Sequence, residues 1–325
     1  MIKQILNPDL FHKKSRRKSY FEGWYFKLVD KEEKNSYVFI PGIFYSKDDN
    51  YSHAFIQVLC GEEVLYYYNK YSKESFKWSN NKFLINIEKN IFSAKGIQLD
   101  INNENINVEG KILFKDLVKW PDSKLNPGSM GFYNYIQFMQ CYSQVSSIDM
   151  NLQGYLNIND RKINFTGGKG YIEKNWGRDF PYAWIWVQCN NFSNNTSLTC
   201  SIGQVPFLLG SFDGFLIGVL IEDTFHKFTT INGSNLRTWW KNGDFIMECR
   251  NKKYTLHIIT ETNKEDYVIC NAPREDKMIP LAKETLKGKV FIKLICNRTG
   301  STIYEDMGIC AGIEYGGRVE ELIKN

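Results

Sequence analysis

The sequence predicts an all-β protein built as two antiparallel barrels in tandem, and three observations carry that expectation. Short runs of alternating apolar and polar residues recur along the chain. Turn signals separate them at roughly the 8 to 12 residue spacing of strands in sandwiches and barrels. Aromatic residues make up 15% of the chain and prolines number only 8, a mix suited to strands joined by tight turns.

The first strand is expected at 20–28, with Tyr20, Glu22, Trp24 and Phe26 on one face, since alternate side chains of a strand share a side. Further strands are expected at 37–44, 51–60, 64–71, 82–88, 91–101 and 106–114. A loop or lid is expected over 115–133, which Pro121, Pro127, Gly128 and Gly131 punctuate. Alternation resumes at 135–142 and 147–158, and Asn159-Asp160 then turns the chain into 161–165.

A second meander follows at 197–204, 214–222, 224–231, 236–240, 244–250, 254–261 and 266–271, with Asn242-Gly243 as its clearest hairpin signal. A short helix is expected at 280–286, then strands at 289–296 and 308–315. The two meanders suggest an N-terminal barrel over 1–165 and a C-terminal barrel over 166–325, with the 168–190 stretch at their junction.

Composition narrows the function. No run approaches the ~20 apolar residues needed to span a bilayer; the longest, 205–221, is broken by Gly210, Ser211, Asp213, Gly214 and Gly218. Mean hydropathy of -0.39 fits a soluble protein, and the N-terminus has no signal-peptide pattern, so the expected location is cytoplasmic. The 8 cysteines are scattered without zinc spacing, so no metal is indicated. The formal charge is +5, with one concentrated basic run, Lys13, Lys14, Arg16, Arg17 and Lys18. That run is either a solvated tail or a point of peripheral membrane contact; nothing in the chain reads as a nucleic-acid binder.

The stretch GKGYIEKNWGRDFPYAWIWVQCN at 168–190 carries the chemistry. Two strand-like runs meet at a turn through Gly177-Arg178-Asp179-Phe180-Pro181. Tyr171, Glu173 and Asn175 project together from the first run, and Trp184, Trp186, Gln188 and Asn190 from the second. Were both faces to line one cavity, it would have aromatic walls and a carboxyl group with amide partners, which suits acid chemistry on an apolar molecule. The plainer alternative is a Trp-rich core strand, against which the polar Gln188 and Asn190 count. Trp176 alternates to the face opposite Glu173. His53 shares a strand face with Phe55 and Gln57 and is a candidate for assisting proton transfer. His12 is expected in a mobile basic segment, and Asp179 is expected to be a turn carboxylate paired with Arg178.

Three strings, YFEGWYFK at 20–27, EKNWGRDFPYAWIWVQCN at 173–190 and AGIEYGG at 311–317, resemble the tocopherol cyclase family. The Tyr171-x-Glu173-x-x-Trp176-Gly177 pattern is also similar to that of the carotenoid hydratase superfamily. The resemblance implies a tandem lipocalin-like fold and cofactor-free protonation of an isoprenoid double bond, with Glu173 at the position of the acid. On that reading Asn175 or Gln188 orients the proton, Tyr171 stands nearby, and Trp24, Trp176, Trp184 and Trp186 supply the electron-rich walls that a developing cation requires. Glu22 and Glu314, the latter beside Tyr315, are rival acids or substrate contacts. The alternative is a carrier whose pocket holds a hydrophobic ligand without turnover.

Overall fold

The computed structural model describes residues 2–12, 19–136, 138–207 and 210–323; the basic run Lys13–Lys18 lies outside them. Among the described residues helix is confined to one α-helical turn and short 3-10 turns, with α1 at Ile2–Leu6. The chain falls into two compact units, residues 1–180 with 271–280, and residues 181–270 with 281–325.

The first unit contains β1 (Tyr20–Val29), β2 (Ser36–Tyr45), β3 (His53–Cys60), β4 (Leu65–Tyr71), β5 (Phe76–Trp78) and β6 (Leu84–Ile87). It continues with β7 (Asn90–Ser93), β8 (Gly96–Asn102), β9 (Asn107–Val118), β10 (Cys141–Ile158), β11 (Arg161–Asn164) and β12 (Lys169–Gly177). Their sheet runs β4-β3-β2-β1-β12-β10-β9-β8-β7-β6-β5, with β11 on β10. The first strand thus pairs with the last, and the two edges of the sheet are β4 and β5.

Those edges are consecutive in the chain, joined through one 3-10 turn at Lys73–Ser75. A five-residue step from Tyr71 to Phe76 reaches at most about 18 Å, whereas a flat sheet would hold edge strands ten spacings apart at about 48 Å. The sheet must therefore curl until its edges meet, which makes it a barrel. Its interior is aromatic: Phe26 packs against Phe83, Phe92 and Phe114, and Trp24 against Phe76 and Phe83.

The second unit repeats the plan with β13 (Ala183–Cys189), β14 (Thr196–Phe207), β15 (Gly210–Ile221), β16 (Thr224–Thr229) and β17 (Asn235–Lys241). It ends with β18 (Asp244–Arg250), β19 (Tyr254–Glu261), β20 (Val268–Arg274), β21 (Lys277–Cys296) and β22 (Thr302–Gly317). The order is β16-β15-β14-β13-β22-β21-β19-β18-β17, again with first strand beside last and edges joined by a short turn, here Thr230–Asn232. Ile185, Val187, Leu198, Ile217, Met247 and Ile313 belong to its buried apolar core. β20 pairs with β21, and the tip of that hairpin, 271–280, clusters with the first unit.

Two expected elements are corrected, the first being the strand expected at 135–142, of which only Cys141 and Tyr142 belong to a strand, the 3-10 turn Gly131–Tyr135 preceding it. Residues 280–286 are not a helix but part of β21, where Ala282 and Glu284 are buried on one face while Lys283 between them is exposed. Pairing with β22 over Ala282–Thr285 decides the conformation against the helical preference of Leu, Ala, Lys and Glu.

Candidate functional site

The 168–190 stretch is divided between the two sheets, its first run forming β12 and its second β13. In β12 the alternation separates two clusters. Glu22, Trp24 and Phe26 of β1 pair with Trp176, Lys174 and Ile172, so these six side chains share the barrel interior. Tyr171, Glu173 and Asn175 point outward, beside Lys27, Tyr25 and Gly23.

The interior cluster is a buried ion pair. Lys174 Nζ lies 2.5 Å from Glu22 Oε1, and both side chains are fully buried. Lys174 also donates to the carbonyls of Pro8 and Leu10 at 2.8 and 2.5 Å and sits 4.9 and 4.8 Å over the Trp24 and Trp176 rings. The His12 amide donates to Glu22 Oε1 and Oε2 at 3.1 and 3.0 Å, its ring stacks on Trp176 at 4.1 Å, and Tyr142 stacks on the same indole at 5.2 Å. His12, expected in a mobile segment, is thus fixed, because it helps to seal a buried carboxylate. Burial alone would raise the Glu22 carboxyl, but Lys174 and His12 overcome it and hold Glu22 below the usual carboxylate range. Burial likewise draws the Lys174 ammonium below its usual range, with Glu22 opposing.

The outward face is different in kind. Glu173 is 3% exposed. Its Oε2 receives the Tyr171 hydroxyl at 2.5 Å, and its Oε1 receives the Ser143 hydroxyl at 3.0 Å and the Asn175 amide at 3.2 Å. Ser143 comes from β10, whose residues Cys141, Ser143 and Val145 pair with Gly177, Asn175 and Glu173. Burial, with Glu173 and Asp179 nearby, pushes the Cys141 thiol up, so it is an inert neighbour.

Reading the register across β1, β2 and β3 extends this face. Glu173 pairs with Tyr25, and Ile40 of β2 pairs with Gln57 of β3. Asn175 pairs with Gly23, Gly23 with Gly42, and Gly42 with Phe55. The Phe55 ring fills the space over Gly42, where a Cβ would fall 2.3 Å from it, and reaches ordinary contact distance, 3.7 Å, from a Cβ placed on Gly23. Phe21, Phe44, Phe55 and Cys141 form an apolar cluster here, with Ile40, Tyr68, Phe180 and Met278 against it. His53, paired with Phe44, belongs to the same face. Its Nδ1 is 2.6 Å from the Tyr51 carbonyl and its Nε2 2.7 Å from the Tyr68 hydroxyl. Burial holds it below the usual imidazole range, opposed by the Tyr51 carbonyl. Gln57 accepts from the Tyr66 hydroxyl at 2.5 Å.

In the second unit Trp184, Trp186, Gln188 and Asn190 alternate with the core-facing Ile185 and Val187, so they share the outer face and are all buried. Trp186 pairs with Glu314, and Glu314 in turn with Glu284 of β21. The Trp184 indole lies across Gly316, where a Cβ would fall 2.3 Å from the ring, and donates its Nε1 proton to Glu314 at 2.5 Å. The Cys270 thiol is 3.8 Å from Glu284. Tyr315 faces the other way, edge-on to Trp240 and Phe245.

The structure therefore brings Glu173, Tyr171, Asn175, His53 and Gln57 to one face of the first unit, and Trp184, Trp186, Gln188, Asn190 and Glu314 to one face of the second. Glu22, Trp24 and Trp176 lie across the sheet from Glu173. Sequence reasoning missed Ser143, Lys174 and Glu284. Ser143 carries no signal of its own, since cross-strand register is not written in one strand. Lys174 had one, a lysine at the alternation of Trp176, and Glu284 was hidden by the expected helix. Asp179 is a turn carboxylate as expected, bound by Arg178 at 2.9 Å and the Glu275 amide at 2.9 Å. Among the described residues no three His, Cys, Asp or Glu side chains group as metal ligands.

Comparison with known proteins agrees with the resemblance carried by the central and C-terminal strings. The chain is 27% identical over 212 residues to the "Probable tocopherol cyclase, chloroplastic" of Oryza sativa subsp. japonica and 26% identical over 213 residues to the tocopherol cyclase of Zea mays. Each match takes in 61% of this chain and 44% of the plant protein, so the chain spans under half the length of these relatives. The crystal structure of CghA with Sch210972 shares the fold, with a TM-score of 0.62 over 92% of this chain and 88% of that one at 9% identity. Residues 92–317, which hold the central and C-terminal strings, match the family model described as tocopherol cyclase-like, and the chain belongs to that family.

Proposed function

We propose that the protein is an enzyme of prenylated or otherwise hydrophobic small molecules, in which the Glu173 carboxyl protonates a carbon-carbon double bond. The resulting tertiary cation is closed by a hydroxyl of the same molecule, captured by water, or quenched by loss of a neighbouring proton. These outcomes are cyclisation, hydration and isomerisation. In each, the departing proton restores the acid, so no cofactor is consumed.

The observation that carries this reading is the contrast between the two buried glutamates of the first unit. Glu22 is held by a lysine and is fixed as a carboxylate. Among the groups that hold Glu173, the hydroxyls of Tyr171 and Ser143 can accept as well as donate, which suits either protonation state, and the Asn175 amide donates to it as well. A carboxyl that gains and loses a proton in each cycle needs such neighbours. The aromatic residues of the same face offer negative ring faces to a cation.

The test is Glu173→Gln, which keeps shape and removes the acid. Turnover of a prenylated quinol should fall by about 10²–10⁴, while affinity for the unreacted molecule changes little. Turnover equal to wild type would overturn the role of Glu173. Recovery of the same unmodified lipid from wild type and variant after native extraction would favour a carrier.

A further inference from the structure

The second barrel has an incomplete seam. β16 pairs with β15 only over residues 216–221, so residues 210–214 of β15 have a ladder on the β14 side alone. At the end of that stretch the Thr230 hydroxyl takes the Phe215 amide at 2.8 Å and donates to the Phe215 carbonyl at 3.2 Å. On the facing edge of the sheet, β17 pairs with β18 alone. Residues of β15 and β17, with Ile202 of β14, line a cavity of about 180 Å³.

Register shows which side chains turn into it. Ile202 pairs with Phe215, Leu236 with Cys249 and Thr238 with Met247. Ile202, Cys249 and Met247 belong to the barrel core, so Phe215, Leu236 and Thr238 face inward, and Asp213 shares the side of Phe215. Leu322, from the 3-10 turn Val319–Leu322, adds a further apolar wall. Two polar groups of this lining are uncommitted. Thr238 is 2% exposed, yet its hydroxyl makes no hydrogen bond to another described residue. The Asp213 carboxylate forms no ion pair with a described lysine, arginine or histidine, and it is the charged residue among those that line the cavity.

We infer that this cavity binds a small organic ammonium ion, one hydrocarbon ring or a chain of similar bulk carrying a protonated amine. Size sets the bulk: an apolar cavity of about 150 Å³ accommodates benzene, so this one takes a ring with one or two further atoms. Ile202, Leu236 and Leu322 match the hydrocarbon, and the face of Phe215 favours a cation over an anion. The ammonium gives Asp213 its counter-charge and offers an N–H to the Thr238 oxygen, which a buried hydroxyl without a partner otherwise lacks. A carboxylate ligand would be repelled by Asp213. The site lies within the second unit and uses no residue of the Glu173 face, so it stands apart from the function proposed above.

The experiment is titration of the full chain at pH 7 with benzylammonium, followed through the methyl NMR signals of Ile202, Leu236 and Leu322, with benzyl alcohol and phenylacetate as neutral and anionic counterparts. Benzylammonium should move those signals saturably, benzyl alcohol should bind at least about tenfold more weakly, and phenylacetate more weakly still. Asp213→Asn should lose at least about tenfold in benzylammonium affinity and leave benzyl alcohol unchanged, with the unfolding midpoint of wild type because Asp213 is exposed. Thr238→Val should weaken benzylammonium severalfold. Methyl signals that stay in place would mean that the cavity holds water only, and would overturn the inference. Equal affinity for the amine and the alcohol, or an Asp213→Asn variant that binds the amine like wild type, would do the same.

Discussion

Lys174 Nζ and Glu22 Oε1 meet at 2.5 Å inside the first barrel, and each is the reason the other can be there. A lone ammonium or carboxylate in that interior would lose its hydration with nothing in return. The pair is completed by main chain: Pro8 and Leu10 offer carbonyls to Lys174, and His12 offers its amide to Glu22. Pro8, Leu10 and His12 therefore help to complete the barrel's polar core.

Lys174→Met should then destabilise the protein by about 3–5 kcal/mol, because Glu22 is left buried beside no ammonium. Adding Glu22→Gln should return much of the loss. Denaturant midpoints of the three proteins measure this, and a single variant as stable as wild type would show that the pair holds nothing.

The pH dependence has two windows. His53 sits below the usual imidazole range because of burial, so the unfolded chain binds a proton that the folded chain resists. Stability should begin to fall as pH drops below about 6.5, and His53→Phe should flatten that slope, the more modestly because the ring is only partly buried. Glu22 lies below the carboxylate range. Its contribution is complete above about 4.3 and is lost as pH falls through its lower folded value. Denaturation series between pH 7 and 3 on wild type and His53→Phe test both windows, and parallel curves would refute the His53 assignment.

On the proposed function, Tyr171 and Ser143 would act on the reaction through Glu173. Tyr171→Phe removes a partner of Oε2 and Ser143→Ala a partner of Oε1. Each should lower kcat by about tenfold, a loss of one neutral to charge-assisted hydrogen bond, with KM almost unchanged. The pH at which kcat is half-maximal should also move, which a purely structural effect would not produce. An effect on KM alone would place these residues in binding.

Much of this was legible in the chain itself. Alternation in YFEGWYFK and in 168–190 sorted side chains to faces correctly, including Trp176 away from Glu173. Period-two patterning records which face a residue takes, but not which strand lies alongside. Ser143 reaches Glu173 only through the β10–β12 register, and Glu284 meets Glu314 only through β21–β22. The ion pair escaped notice for a related reason: Lys174 and Glu22 are remote in sequence, and neither alone announces a partner. Strand β21 was obscured because Leu, Ala, Lys and Glu favour helix until a neighbouring strand supplies its ladder.

Gly316 and Trp184 carry the last prediction. The indole lies across the glycine and donates its Nε1 proton to Glu314. A methyl at 316 would fall 2.3 Å from the ring and 2.9 Å from the Leu281 carbonyl, so the ring has to move. Gly316→Ala should therefore cost about 1–3 kcal/mol, as overpacking does. Trp184→Phe removes the same hydrogen bond and part of the crowding, so the double variant should lose clearly less than the two singles added together. Their coupling, read from a double-mutant cycle in denaturant, should exceed about 0.5 kcal/mol. Simple additivity would mean that the indole does not rest on Gly316 and that its contact with Glu314 owes nothing to the missing side chain.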